Sequence, residues 1–519
     1  MCPFPQNYVY LYIICHSQLG VTRFFMDVEE TSIQSDSPSN EPTLKEKTAK
    51  GFFWGGISNG VQLLLGMIFG IVIARALSPE DYGLINMLAI FTGISTIIIN
   101  SGFSVALTNN LNATHKDYNA VFWFSFLVSI LLYFILYFCA PLIAAFYDRP
   151  ELTNLSRVIF ISFFFSAIGI VPYTVLFKKL MVKQQALIDI TAISLSGIIG
   201  LLLAINGFNY WALAIQAVLF ICIGSILRFI IAPWRPTLSF DFSPLNKMLS
   251  FSSKLFLTNI FQQIHGNFFT VMFGKFYDAT QLGYYSQGSK WMSMLNQLIT
   301  GMFNIVAQPV IVQVNNDKER QMRVIRKMTR LAAFIAFPAF LGLIFIAKEF
   351  ILVTIGEKFL PSVIYLQIMC GWGIVTPFII LYTQLLISHG KSNIFLKGNL
   401  IIGGLQISMI FVLFFLKVPI IQILICYVLS YCLSFLYWYY WVDRLIGVRF
   451  FYVLKDISPY AILTILSIIL TAFLLSYVEN VYLLLIGKIL LTATIYIAIL
   501  WISNSKILHE TISLIKRKQ

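Results

Sequence analysis

Polar side chains at helical spacing inside long apolar runs are the residues of this chain that could do chemistry. Lys254, Thr258, Gln262 and His265 follow at steps of four, four and three, one face of a helix. Asn259, Gln263 and Asn267 flank that face. Further on, Ser286, Gln287, Ser289 and Lys290 lie close together in another apolar run. Earlier in the chain, Ser58, Asn59 and Gln62 form a third, sparser row. Amides and hydroxyls replace water around a polar solute, and one or two ammonium groups hold an anion. Such side chains also bond helix to helix, at about 0.6 kcal/mol per contact, and for the amides both uses stay open. Lys254, His265 and Lys290 favour a wet cavity, because ionisable groups inside a membrane span are costly unless they serve a site. Lys254 lies about one turn inside its run, so snorkelling to the surface is its alternative.

These rows sit on a repeated element. Gly51 to Gly83 reads GFFWGGISNGVQLLLGMIFGIVIARALSPEDYG, an apolar helix that ends near Arg75 and turns at Ser78-Pro79-Glu80-Asp81-Tyr82-Gly83. A second copy, FSSKLFLTNIFQQIHGNFFTVMFGKFYDATQLG, lies 200 positions later. At that offset Asn59 meets Asn259, Gln62 meets Gln262, Gly66 meets Gly266, Phe69 meets Phe269 and Gly83 meets Gly283. Arg75 meets Lys275, and Ser58 meets Thr258. Agreement of turn, cation and in-helix amides at one register indicates an internal repeat, the usual construction of transporters with a site between halves. Arg75 and Lys275 are cations at helix C-termini, where the helix dipole favours them; an outer cationic rim is the functional alternative.

Composition sets the solvent. The chain is 58% hydrophobic and only 11% charged, with a mean hydropathy of +0.82. A soluble domain carries about 25% charged residues, so lipid must be the main surroundings. The net charge of +14 does not indicate nucleic acid, because the cations recur in short segments between apolar runs. The seven cysteines, Cys2, Cys15, Cys139, Cys222, Cys370, Cys426 and Cys432, show no metal-ligand spacing and mostly lie in apolar runs. They read as small core hydrophobes. No metal and no cofactor is expected.

About fourteen apolar segments reach spanning length. Six run at roughly 51–74, 83–107, 119–141, 153–175, 186–205 and 209–232, and six more at roughly 250–273, 283–310, 327–347, 362–388, 394–416 and 419–441, with a last pair at roughly 458–478 and 481–503. A lipid-facing backbone must satisfy its own hydrogen bonds, and these lengths suit helices. The fold class is therefore all-α and polytopic, with two pseudo-symmetric six-helix lobes and two further helices. The lobes are 51–232 and 250–441, and the segment 233–249, with its proline-rich start, is the linker between them. Residues 442–519 hold the last pair of spans, an appendage, and the basic Lys516-Arg517-Lys518 tail. Residues 1–50 read as a disordered leader, with translation expected to start at Met26. Cations crowd alternate loops, such as Lys178, Lys179, Arg235, Lys247 and Arg320, so both termini are expected in the cytoplasm.

Other candidates are weaker. Asp189 is an acid near the inner end of the fifth span, expected to pair with Lys183 rather than bind a cation or proton. Arg157, near the outer start of the fourth span, could pair with Asp148 or Glu151. His115, His389 and His509 are isolated. No phosphate-binding Gly-x-x-x-x-Gly-Lys-Ser/Thr motif is present, and no catalytic signature emerges.

Several stretches are familiar. ARALSPEDYGLINM (74–87), SGFSVAL (101–107), APLIAAFYDRPEL (140–152), GFNYWALAIQ (207–216), GKFYDATQLGYYSQG (274–288) and EKFLPSV (357–363) resemble bacterial polysaccharide exporters of the Wzx type, the WzxC-like branch. The resemblance runs from about Lys45 to about Ser503. It places the chain in the multidrug/oligosaccharidyl-lipid/polysaccharide exporter superfamily, beside MurJ-like lipid II flippases and MATE exporters. It implies two lobes around a central cavity, alternating access, and a cavity lined by the first, second, seventh and eighth helices. The implied substrate is an oligosaccharide linked through diphosphate to undecaprenol, moved across the bacterial inner membrane. Membrane lipids are implied partners, with a polysaccharide polymerase and glycosyltransferases as further ones. MurJ-like proteins place arginines inside the first helix, whereas this chain has Ser58, Asn59 and Gln62 there. The cations nearest such a role are Lys254 and Lys290.

The physics suits that task. A sugar headgroup crosses hydrocarbon only if its polar groups find partners, and an inside-negative potential favours outward movement of an anion by about 2.3 kcal/mol per charge per 100 mV. No ATPase is required. The near alternative is a MATE-like ion-coupled exporter, which would use an in-membrane acid such as Asp189. A membrane-embedded polysaccharide-assembly enzyme would show a sizeable external loop or clustered acids, and a scaffold would leave the cavity residues idle.

Overall fold

The structure is a computed structural model that describes residues 44–314, 317–503 and 507. The leader before residue 44, Met26 and the basic tail lie outside the described residues, as do the side chains of Lys254 and of the first turns of the first helix. Among the described residues there are seventeen α-helices and no strand. Twelve stretches are long and apolar enough to cross a membrane. The seventh and eighth expected spans form helices of 34 and 35 residues, long enough to cross, but they are absent from those twelve. Their polar rows lower the hydropathy, so the count of fourteen is not confirmed.

Contacts divide the chain into two compact units, Glu46–Ser286 and Gln287–Gln519. The first holds α1 (Leu44–Ala76), α2 (Pro79–Met87), α3 (Ala89–Asn100), α4 (Phe103–Asn109), α5 (His115–Tyr147), α6 (Glu151–Phe160), α7 (Ser162–Lys178), α8 (Val182–Ile205) and α9 (Tyr210–Ile231). It also holds α10 (Ser243–Phe276) and the first turns of α11 (Ala279–Gln313). Helix α10 packs on α2, α3, α4 and α5.

The expected second span is broken. Ser101 and Gly102 both take left-handed backbone, at φ 46° and 74°, and separate α3 from α4. Gly adopts this conformation without steric penalty, and Ser101 precedes it at the C-cap of α3. At the same end of the unit the linker folds back. Asn119 donates to the Ser239 carbonyl at 2.6 Å and accepts from the Thr237 amide at 2.8 Å, while the Trp123 indole donates to the Thr237 carbonyl. Trp234 completes an apolar cluster with Phe103, Leu107, Val121 and Phe122. In the linker, a hydrogen bond from the Ser243 hydroxyl, backed by the Ser243 amide, holds the Asp241 carboxyl below the usual range.

The second unit continues α11 and adds α12 (Lys318–Thr354), α13 (Ser362–Ser388), α14 (Ser392–Phe415), α15 (Ile420–Ile446), α16 (Phe450–Leu474) and α17 (Val481–Ile502). Helix α12 is its centre and packs on α13, α16 and α17. Two ion pairs fix the last two helices to it. Arg326 donates twice to the buried Asp456, at 2.7 and 3.0 Å. Lys488 meets Glu349 at 2.9 Å, with both side chains nearly buried. The final pair of helices is thus packed into the unit. Charges in such places survive because each has a partner.

Candidate functional site

The repeat register reappears as geometry. Helix α1 ends at Ala76, and α2 starts with Pro79 after an N-cap at Ser78. Ser78 and Asp81 cap each other reciprocally, which satisfies two otherwise orphaned backbone amides. Two hundred positions on, Asp278 accepts from the Gln281 amide at 2.7 Å and caps α11. The two turns meet. A Cβ on Gly83 would lie 1.8 Å from the Ala279 carbonyl oxygen, and a Cβ on Gly283 would lie 1.8 Å from that of Pro79. Pro79 and Ala279 are themselves 200 apart, so each copy presses its glycine on the start of the other. Asn86 donates to Ser286, again 200 positions away. These reciprocal contacts define a local two-fold axis between α2 and the start of α11.

The polar rows differ in state. In α1, Ser58 is buried and accepts from the Gln62 amide at 2.8 Å, whereas Asn59 is exposed. In α10, Asn259 and Gln262 are exposed, while Thr258 and His265 are half-buried and His265 stacks parallel to Phe261. Gln263 lies directly against Gly93 of α3, where a Cβ would come within 1.6 Å of its amide nitrogen. Asn267 donates to the Gln263 carbonyl. Gln287 and Lys290 belong to the second unit. Gln287 is fully buried with neither amide atom hydrogen-bonded. Lys290 is half-buried, its ammonium 5.7 Å from the Trp291 ring centre. Lys254 lies in α10 by its backbone alone.

At the turn end, Arg75 is exposed and Lys275 pairs with Asp148 at 2.9 Å. Arg149 pairs with Glu80 at 2.8 Å. One expected pairing and one considered pairing are replaced. Arg157 lies 4.3 Å over the Tyr137 ring and reaches the Tyr137 carbonyl, leaving Asp148 to Lys275. Asp189 pairs with Arg228 of α9, and Lys183 lies over the Trp54 ring instead. The neighbouring helix supplied a partner that sequence proximity did not reveal.

Sequence reasoning also missed Asp456 and Glu349. Their partners stand 130 and 139 positions away on other helices, and only the rarity of acids in apolar runs marks them.

These features define the class: an all-α, multi-pass membrane protein with a duplicated helix–turn–helix. The fold is similar to that of the lipid II flippase MurJ in an inward closed conformation, with a TM-score of 0.67 at 17% identity over 86% of this chain and 97% of that one. The chain belongs to the polysaccharide biosynthesis protein family, whose model matches residues 72–364, more than half its length. It is 22% identical over 403 residues to the lipopolysaccharide biosynthesis protein WzxC of Escherichia coli, covering 74% of this chain and 81% of that protein. It is also 22% identical over 338 residues to the succinoglycan biosynthesis transport protein ExoT of Rhizobium meliloti, covering 65% and 68%.

Proposed function

We propose that this chain is a flippase that moves oligosaccharide units linked through diphosphate to undecaprenol across the bacterial inner membrane by alternating access. The observation that carries the reading is the polar character of α10 and α11. Both are long enough to span a bilayer, yet they carry a lysine, a histidine and several amides that lipid would penalise. A hydrated headgroup gives those side chains a purpose. Membership of the polysaccharide biosynthesis family and likeness to a transport protein support it.

In this reading Ser58, Asn59 and Gln62 of α1, Thr258, Asn259, Gln262 and His265 of α10, and Gln287 of α11 bind the sugar. Lys254 and Lys290 hold the diphosphate. Arg75 and Lys275 form the rim that meets it on release. The two lobes are 51–232 and 250–441, joined by the 233–249 linker. Both termini lie in the cytoplasm, which puts the paired turns at 78–83 and 278–283 on the outer side. The polymerase and glycosyltransferases of the same glycan act as partners. An ion-coupled exporter is disfavoured because Asp189, the acid it would use, is already paired with Arg228.

Replacing Lys290 with Ala in the native host tests the reading. Lipid-linked sugar should accumulate on the inner leaflet as surface polysaccharide falls. Normal polysaccharide without accumulation would remove Lys290 from the site, and the same result on deletion of the whole gene would end the flippase reading.

A further inference from the structure

A hollow whose mostly apolar wall carries one ion pair lies in the first unit. It is a groove of about 320 Å3 between α3, α4, α7, α8 and α9. Arg228 and Asp189 form its floor as an ion pair, with side chains 21% and 23% exposed and so within reach of a ligand. The guanidinium carbon of Arg228 stands 5.5 Å over the ring of Tyr173, which is itself exposed. Asn100, Ser104 and Ser225 add an amide and two hydroxyls to the wall.

Three properties constrain the occupant. The charged floor is neutral overall, so it offers a diphosphate no net attraction, and its carboxylate is already engaged and so is no bare cation ligand. It is nevertheless rich in hydrogen-bonding capacity. Arg228 Nε is shut off from the groove, so that capacity comes from the exposed parts of the ion pair and from the Asn100, Ser104 and Ser225 side chains that line it. Glycines also let the helices that line the groove pack closely. A Cβ on Gly169 would lie 2.5 Å from Ser225 Oγ, and one on Gly224 would lie 3.3 Å from an Arg228 terminal nitrogen. Paired acceptor and donor, flanking hydroxyls and one aromatic face match neighbouring hydroxyls on an uncharged sugar ring, whose C–H face packs on the aromatic one.

We infer that this groove is a glycosyl subsite, which binds a neutral sugar residue of the transported headgroup separately from the groups that hold its diphosphate. The inference rests on the flippase reading and adds a second contact region to it. It assigns Asp189, Arg228, Tyr173 and Asn100 to glycan recognition.

The test uses the full-length protein in lipid nanodiscs and two probes. One is the lipid-linked oligosaccharide extracted from cells deleted for this gene; the other is undecaprenyl diphosphate without sugar. Binding is read by native mass spectrometry for the wild type and for a Tyr173→Ala, Asn100→Ala double variant, which leaves the ion pair in place. The double variant should bind the glycan-bearing lipid about tenfold more weakly and the bare lipid as well as the wild type does. Equal weakening for both probes, or no weakening, overturns the subsite. Thermal unfolding of the variant identifies simple misfolding, in which case Asn100→Ala alone must reproduce the selective loss or the subsite is rejected. If the wild type prefers neither probe but the reconstituted protein still moves the glycan-bearing lipid between leaflets, the subsite fails and the flippase stands. If that movement is absent as well, the flippase reading fails first.

Discussion

The two copies of the helix–turn–helix share a scaffold and differ in what they leave open. Both cap their second helix at the same register, with Ser78 in one and Asp278 in the other. Both press a glycine on the partner's first residue. Inside the first helix of each copy they part. In α1 the Ser58 and Gln62 side chains bond to each other, whereas the matching Gln262 of α10 is exposed. Asn59 and Asn259 are exposed in both copies, so the difference lies in the second amide: one bonded within its own helix holds structure together, and an exposed one is available to a solute. Both copies share the scaffold, and under the proposed function the exposed Gln262 gives the second copy the larger share of substrate contact.

The largest expected effect comes from breaking the shared part. Gly83→Leu or Gly283→Leu forces two backbones apart, at the upper end of the about 1–3 kcal/mol typical of overpacking or beyond it. Surface polysaccharide should vanish, and thermal unfolding in detergent should fall by several degrees. Gly60→Ala and Gly266→Ala, where a Cβ meets nothing within 4 Å, should leave both readouts near wild type.

The next effect sharpens the difference between copies. Asn259→Leu with Gln262→Leu should slow transport in proteoliposomes by about tenfold, the equivalent of about 1.4 kcal/mol. Ser58→Ala with Gln62→Leu should cost less transport and more thermal stability. Equal transport defects in the two double variants would remove the asymmetry.

Smaller still is the cap. Ser78→Ala should cost about 1 kcal/mol of stability, measured by thermal unfolding, and Asp278→Ala a similar amount. Least of all, Asp148→Ala frees Lys275 from a largely exposed pair, and such pairs are worth about 0–1 kcal/mol. A large loss of stability there would mean that the turn end is held by charge rather than by close glycine packing.

Much of this was legible in the residues. The 200-position register, the capped turn and the in-helix amides all follow from identity and spacing, because they are local or repeated. The break at Ser101-Gly102 carried a signal too, since a Ser-Gly pair marks turns, but the surrounding apolar run masks it. The ion pairs were not legible. Asp189 had Lys183 six positions away and chose Arg228 on the adjacent helix, because packing rather than sequence distance sets which charges meet. The neutral groove on Asp189 and Arg228 stayed hidden for the same reason, as did the ties from Asp456 and Glu349 that hold α16 and α17 to α12.

The two copies meet across the local two-fold axis, and the proposed alternating access predicts that they separate there for substrate to leave. Asn86→Cys with Ser286→Cys, in a chain freed of its seven native cysteines, places one thiol on each side of that axis. Oxidation should lock the pair and stop movement of lipid-linked oligosaccharide between leaflets of proteoliposomes, and reduction should restore it. Full transport with the crosslink complete would contradict the account.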